Sequence, residues 1–435
     1  MASMLVDPAQ PQASLVRVFT AWKSVLLAIT IGSGIAQPYD TSTTLVTIDR
    51  PAPSNEAAWD IASKLTRWDA IYFVQTARRG YVYEQERAFA AGPSWLMARI
   101  VQGLSLIGLD TSTGTFESLA GIAVSHLSHL LSVLVLYQLC LAISNQKKPS
   151  FTAAILHIIS PAGLFLSAPY AESVFSLLSF LGYLFLAKGL LGNQKRRLAH
   201  DASLVSSGLW FGFSCTFRSN GLFSGIPFAV ALLVELTCSP PTLPNIRRRF
   251  ALVLGGLAIA VGFIAPQFSA YLSFCVRPSG EALRPWCDKA LPSIYTFVQE
   301  HYWNVGFLRY WVPGNMPLFL LAGPVLYLMI RSGIDTLQAP SGLASAASSD
   351  PGNIQAVWLG RSMAITQLLI AGLAITNFHI QIITRIASAY PLWYLWLANK
   401  LCNGKTSRFG GHVVIFMILY ATIQGALFAS FMPPA

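Results

Sequence analysis

The chain alternates long apolar stretches with short polar ones. Apolar runs cover residues 18–36, 117–143, 151–167, 173–191, 204–217, 222–237, 251–276, 316–330, 363–376, 386–401 and 412–431. A helix needs about 20 apolar residues to cross the hydrocarbon, and these runs approach or exceed that length. None shows the two-residue alternation of a closed β-barrel, the other fold a bilayer permits. The pattern predicts an all-α polytopic membrane protein of about eleven spans, with Pro161 and Arg218 interrupting two of the windows. The first run is followed by QPYD rather than a small-residue cleavage site, so it reads as an uncleaved first membrane helix.

The polar loops fix the expected orientation. With the N-terminus cytoplasmic, Lys147 and Lys148, Lys195 to Arg197, Arg247 to Arg249, Arg331, Arg361, and Lys400 with Lys405 and Arg408 all fall on one side, as the preference of basic loops for the cytoplasm requires. Residues 37–116, 168–172, 218–221, 277–315 and 377–385 fall on the other. Composition agrees: 54% of residues are hydrophobic and 11% charged, and the net charge of +11 resides largely in those basic loops. Anionic lipid headgroups account for that charge without nucleic acid. The chain reads as a single membrane domain over 1–435, with two long non-cytoplasmic loops, 37–116 and 277–315.

Chemistry has most room in those loops. In the first, Thr66 stands three residues before Asp69, the spacing of a capping box, while Arg78, Arg79 and Gly80 resemble a helix end. The spacing predicts a short helix over 67–79 that places Asp69, Tyr72, Phe73 and Thr76 on one face. Asp69 then has two readings, a helix cap or a catalytic acid. Tyr81, Tyr83, Glu84 and Glu86 follow, and residues 88–99 are apolar enough to rest in the interface. In the second loop Cys275 and Cys287, twelve residues apart, are a disulfide candidate in an oxidising compartment. Its aromatics, Tyr295, Phe297, Tyr302, Trp303, Phe307, Tyr310 and Trp311, suit an interfacial belt, sugar stacking, or both. Arg218 with Asn220 breaks an apolar run, where a charge needs a partner. His379, Gln381 and Arg385 lie between two spans, and Arg385 beside His379 suits a phosphate clamp or a snorkelling helix end.

The sequence has no Walker loop, dinucleotide fingerprint, catalytic Ser-His-Asp arrangement, DxD motif or zinc spacing. What remains suits a lipid-linked substrate. The segments WDAIYFVQTARRGYVYEQERAFA, LSAPYAESVFSLL, FRSNG, YWNVGFLRYW and HIQIITR, spread from Trp68 to Arg385, closely resemble the PIG-V family of mannosyltransferases, in a fungal form. The resemblance implies a GT-C type glycosyltransferase of the endoplasmic reticulum membrane with its active site facing the lumen. It also implies dolichol-phosphate-mannose as donor, an α-1,6 linkage to a glycosylphosphatidylinositol glycolipid acceptor, and room for a small accessory membrane subunit.

Carried onto this chain, the resemblance marks Asp69 as the catalytic base of an inverting displacement. Trp68, Tyr72, Glu84, Glu86, Arg218, Asn220, Trp303, His379, Gln381 and Arg385 become substrate-binding candidates, and neither metal nor cofactor is expected. One departure is Ala90 and Ala91 ahead of Pro93, where the family usually has an aromatic and Pro directly after AF. The competing expectations are another dolichol-phosphate-sugar dependent enzyme with a different acceptor, or a non-catalytic lipid transporter or scaffold.

Overall fold

The computed structural model describes residue 7 and residues 9–33, 39–47, 55–192, 197–276, 284–339, 351–403 and 407–433. Lys195, Arg196, Arg277 and Lys405 lie outside the described residues. Among those described there is no strand.

The helices in chain order are α1 (Pro11–Gly32), α2 (Glu56–Leu65), α3 (Asp69–Arg79), α4 (Ala91–Leu106), α5 (Thr115–Ser144), α6 (Lys147–Ile158), α7 (Glu172–Leu191), α8 (Arg197–Phe217), α9 (Gly225–Cys238), α10 (Leu243–Phe274), α11 (Ile294–His301), α12 (Met316–Gln338), α13 (Pro351–Thr376), α14 (Ile383–Ile386), α15 (Pro391–Cys402) and α16 (Ser407–Ala429). Among the described residues eight segments are long and apolar enough to cross a membrane, making this a multi-pass membrane protein. They are α1, α5, α7, α9 with its preceding turn, α10, α12, the part of α13 from Gln355, and α16.

The other three predicted windows differ in informative ways. The window at 204–217 lies in α8, a helix of 21 residues lodged between α7 and α10. Small residues let the backbones of α8 and α10 touch: a Cβ on Gly208 would stand 2.2 Å from Gly255 Cα, and one on Gly262 would stand 2.1 Å from Gly212 O. The window at 151–167 stops as a helix at Ile158, and that at 386–401 is divided between a turn and α15. At 12 residues each, α6 and α15 reach about 18 Å, short of the roughly 30 Å of hydrocarbon. They pack on each other in the interior, with Trp393 and Tyr394 fully buried.

After α6 the chain runs through buried turns from 159 to 171 before α7 begins. Irregular backbone at membrane depth survives only where protein satisfies it, and side chains do so here. Lys23 from α1 donates to Leu166 O at 2.9 Å and to Ser167 Oγ at 2.7 Å, Ser125 Oγ donates to Ala168 O at 2.6 Å, and Ser173 Oγ donates to Leu166 O at 3.0 Å. Gly163 adopts φ +49 with Ala421 O and Gln424 Oε1 each 3.1 Å from where a Cβ would be, so only glycine fits there without strain.

Among the described residues of 37–116 lie the helices α2, α3 and α4, ahead of the start of α5. The expected capping box is absent: Thr66 Oγ1 donates back to Ala62 O at 2.8 Å and so closes α2. The helix starts at Asp69 rather than at 67, because Trp68 at φ 54 turns the chain sharply between α2 and α3. Gly80 at φ 75 ends α3 as its sequence suggests. In the second loop Cys275 and Cys287 are disulfide-bonded with Cα atoms 5.6 Å apart. The bridge closes a small core of Ala270, Trp286, Ile294 and Val298. At the end bearing the basic clusters, arginines predicted in loops are helical and paired: Arg247 with Asp201, and Arg248 with Glu235 at 2.7 Å.

Candidate active site

Asp69 is the first residue of α3, and the strained turn at Trp68 leaves its side chain 35% exposed. A non-glycine residue held at positive φ costs about 1–3 kcal/mol, and such strain gathers at functional sites. The turn is held from behind. Arg67 is buried, with Nη1 on Thr43 Oγ1 at 2.8 Å and its guanidinium carbon 5.0 Å from the centroid of the Phe431 ring; burial lowers its pKa to about 10. Tyr170 OH donates to Arg67 O at 3.0 Å.

Asp69 does not cap its helix through its side chain. Its Oδ2 accepts from Arg385 Nη1 at 3.0 Å, while Arg385 Nε donates to Glu172 Oε1 at 2.7 Å. Arg218 Nη1 donates to the same Glu172 oxygen at 2.8 Å. Glu172, the first residue of α7, is 1% exposed in its side chain. Two acids and two guanidinium groups thus form one chain of ion pairs at the ends of helices α3 and α7, and its formal charge sums to zero. Burial on this scale is tolerated only because each charge has a partner. The guanidinium of Arg385 also lies over Phe165 at 4.5 Å and Tyr170 at 4.8 Å, both delivered by the turns after α6. Lys23, by holding those turns, sets where Phe165 and Tyr170 stand.

The chain of polar contacts continues from Arg218 Nε to Asn220 Oδ1 at 3.4 Å, and from Asn220 Nδ2 to Tyr390 OH at 3.1 Å. An aromatic wall lines the side toward the loops. Tyr72 stacks on Phe89 at 4.9 Å, Phe89 meets the edge of Trp303 at 5.4 Å, Trp303 meets His379 at 6.5 Å, and His379 stacks on Tyr310 at 5.0 Å. Tyr310 OH donates to Gln381 Oε1 at 3.0 Å. Burial lowers the pKa of His379 against the opposing pull of Asp69, which keeps the imidazole neutral near pH 7. Four buried polar atoms of these residues have no hydrogen-bond partner: Arg67 Nε, Trp68 Nε1, Glu172 Oε2 and His379 Nε2. Orphans of this kind are rare in folded proteins and suit a site that a ligand completes.

The structure therefore brings Asp69, Arg385, Arg218 and Asn220 into one network, and joins Tyr72, Trp303, His379 and Gln381 to the wall beside it. Glu84 and Glu86 stand elsewhere. Glu84 accepts from Trp286 Nε1 and, at 3.3 Å, from Tyr302 OH, which latches the disulfide-closed loop onto the first loop. Glu86 accepts from Arg79, from Val82 N at 2.9 Å and from Tyr83 N at 3.1 Å, and so pins the turn after α3. Sequence reasoning missed Glu172, Tyr170, Phe165 and Lys23. Glu172 had one signal: it is an acid at the head of an apolar run, where an uncompensated charge is costly.

A profile for the Mannosyltransferase (PIG-V) family matches residues 12–435. GPI mannosyltransferase 2 of Chaetomium globosum is 45% identical over 459 aligned residues, covering 98% of this chain and 96% of that one. GPI mannosyltransferase 2 of Gibberella zeae is 45% identical over 436 residues, covering 100% of both chains. Among solved structures, ArnT from Cupriavidus metallidurans bound to undecaprenyl phosphate aligns with a TM-score of 0.48 at 13% identity, covering 93% of this chain and 64% of that one.

Proposed function

Because this chain belongs to the PIG-V family of mannosyltransferases, we propose that it adds the second mannose to a glycosylphosphatidylinositol precursor. The donor in this reading is dolichol-phosphate-mannose, the linkage α-1,6, the fold of GT-C type, and the place the lumenal face of the endoplasmic reticulum membrane. The names of its fungal relatives support the acceptor. The disulfide between Cys275 and Cys287 supports an oxidising compartment on that face.

The observation that carries the reading is the shared guanidinium of Arg385, which bonds Asp69 and the buried Glu172 at once. Arg385 occupies one oxygen of Asp69. The phosphate of an arriving lipid-linked donor competes for that guanidinium, because Arg binds phosphate through its planar fork. Asp69 is then released to take the proton of the acceptor hydroxyl as that oxygen attacks the anomeric carbon from the face opposite the phosphate. One C–O bond forms, one breaks with inversion, and the polyprenyl phosphate leaves with its electron pair. A placed general base contributes about 10²–10⁴ in rate. Arg385 and Arg218, held by Glu172, stabilise the charge growing on the leaving phosphate, a task for which the proposal needs no metal. The wall of Tyr72, Phe89 and Trp303 offers flat faces for sugar rings.

The test uses cells depleted of their own second mannosyltransferase, expressing this chain or its Asp69→Asn variant at matched levels, with labelled mannose chased through the glycolipids. Conversion of the one-mannose species by the wild type and its accumulation with the variant support both acceptor and base. Equal conversion by the variant removes Asp69 as base. A wild type that leaves the one-mannose species untouched shifts the reading to an enzyme with a different acceptor.

A further inference from the structure

Phe89, whose ring stacks on Tyr72, also lines an open cleft. Arg87, Phe89, Ser219, Gln267, Ser269 and Tyr295 are among the residues that line it. Its cation is unlike the others nearby. Arg79 is answered by Glu86, and Arg218 and Arg385 by Glu172. No carboxylate among the described residues pairs with Arg87. Its guanidinium lies 4.0 Å from the centroid of the Tyr81 ring, with Nη2 on Ser273 Oγ at 3.1 Å and Nη1 3.4 Å from Ser269 Oγ, and its Nε is buried without a partner. Those contacts hold the fork in place, and no described carboxylate cancels its charge.

The surroundings say what kind of molecule would bring the anion. Ser269 and Ser273 belong to α10, whose Leu257, Val261, Ile264, Phe268 and Leu272 are all exposed. Their spacing of three and four makes one apolar stripe along the helix, as acyl chains require. On its inner side the cleft shares Phe89 with the aromatic wall, and Phe89 stacks on Tyr72, one turn along α3 from Asp69. Ser219 is next in the chain to Arg218, which bonds Glu172.

We infer that this cleft is the acceptor subsite, with Arg87 binding the phosphodiester of a glycolipid whose chains follow α10 and whose terminal sugar passes Phe89 to reach Asp69. The inference rests on the proposed function and deepens it: two lipid phosphates would be handled by two arginine sites, the donor's by Arg385 and the acceptor's by Arg87. Arg87 is a binding residue here and takes no part in the proton transfer.

The experiment measures mannose transfer by the full chain in membranes to two synthetic acceptors bearing the same glycan, one on a phosphodiester-linked lipid and one on a neutral ether-linked lipid. Arg87→Gln raises the KM for the phosphodiester acceptor about ten- to a hundredfold, the range of a lost hydrogen bond to a charged group. It leaves kcat, the donor KM and the KM for the neutral acceptor unchanged, and Arg87→Lys recovers most of the loss. An equal rise for both acceptors overturns the inference in favour of a structural role, and a rise in donor KM overturns it in favour of a donor site. Millimolar inorganic phosphate leaves wild-type acceptor KM unchanged; competition that disappears in Arg87→Gln would assign the cleft to a soluble anion and overturn the lipid occupant. If the wild type extends neither acceptor, the proposed function falls and this inference with it. If it extends both and Arg87→Gln behaves as wild type, this inference alone falls.

Discussion

Replacing Arg385 by Lys keeps the charge and removes the fork. The guanidinium uses Nη1 for Asp69 at 3.0 Å and Nε for Glu172 at 2.7 Å, two donors with fixed spacing directed at carboxylates on different helices. A single ammonium on a flexible stem does not reproduce that spacing. It follows the buried Glu172 and loses the bond that also serves the phosphate. One charge-assisted hydrogen bond is worth about 1.5–3 kcal/mol, and each 1.36 kcal/mol is tenfold in rate, so Arg385→Lys lowers kcat by roughly 10- to 150-fold. Arg385→Ala goes further. It leaves Glu172 with Arg218 alone and strips Asp69 of its partner, and removing one member of a buried pair costs about 3–5 kcal/mol of stability. The assay is labelled-mannose transfer in membranes, with thermal unfolding of the purified protein run alongside to separate the two effects. The expected result is a Lys variant with a near-native melting temperature and a low kcat, and an Ala variant deficient in both. A Lys variant with full activity would refute the fork, and an Ala variant with native stability would refute the claim that Arg385 neutralises buried acids.

Two further expectations concern the scaffold. Although burial opposes it, bonding to Arg79 and to two backbone N–H groups holds the Glu86 carboxyl below its usual range. Its contribution to stability is therefore present above the unfolded-state pKa of about 4.3 and is lost as pH falls through the folded value. Acid unfolding of Glu86→Gln should lack that limb and start from a lower plateau; an unchanged acid profile counts against the assignment. At Gly262 any Cβ meets the backbone oxygen of Gly212 at 2.1 Å, which cannot yield as a side chain could. Gly262→Val should spread α8 from α10 and lower the yield of folded protein in detergent, whereas Gly256→Val, where nothing lies within 4 Å, should not; equal yields would refute the close crossing.

Much of the molecule was legible in the chain because a bilayer imposes a one-dimensional rule. Backbone groups must be satisfied within the segment, so apolar length alone announces helices such as α5, α10 and α16. The segment WDAIYFVQTARRG also announced a short helix with Asp69 on it, and Gly80 its end. The rule failed where backbone is satisfied by distant side chains rather than by its own helix. No local pattern says that Lys23, 143 residues before Leu166, will hold the turns after α6, or that two 12-residue helices will stand inside the bundle in place of two spans. The same reason governs the site. The sequence by itself pointed to Asp69, Arg218, Arg385 and several of the aromatics, because charge and hydropathy are local properties. Only the tertiary structure decided that Arg385 would be shared between Asp69 and Glu172, that Glu84 would bind the two loops together while Glu86 pins the turn after α3, and that no described carboxylate would pair with Arg87. Electrostatic partnership depends on distances of a few ångströms between residues far apart in the chain, and those distances exist only once the helices have packed.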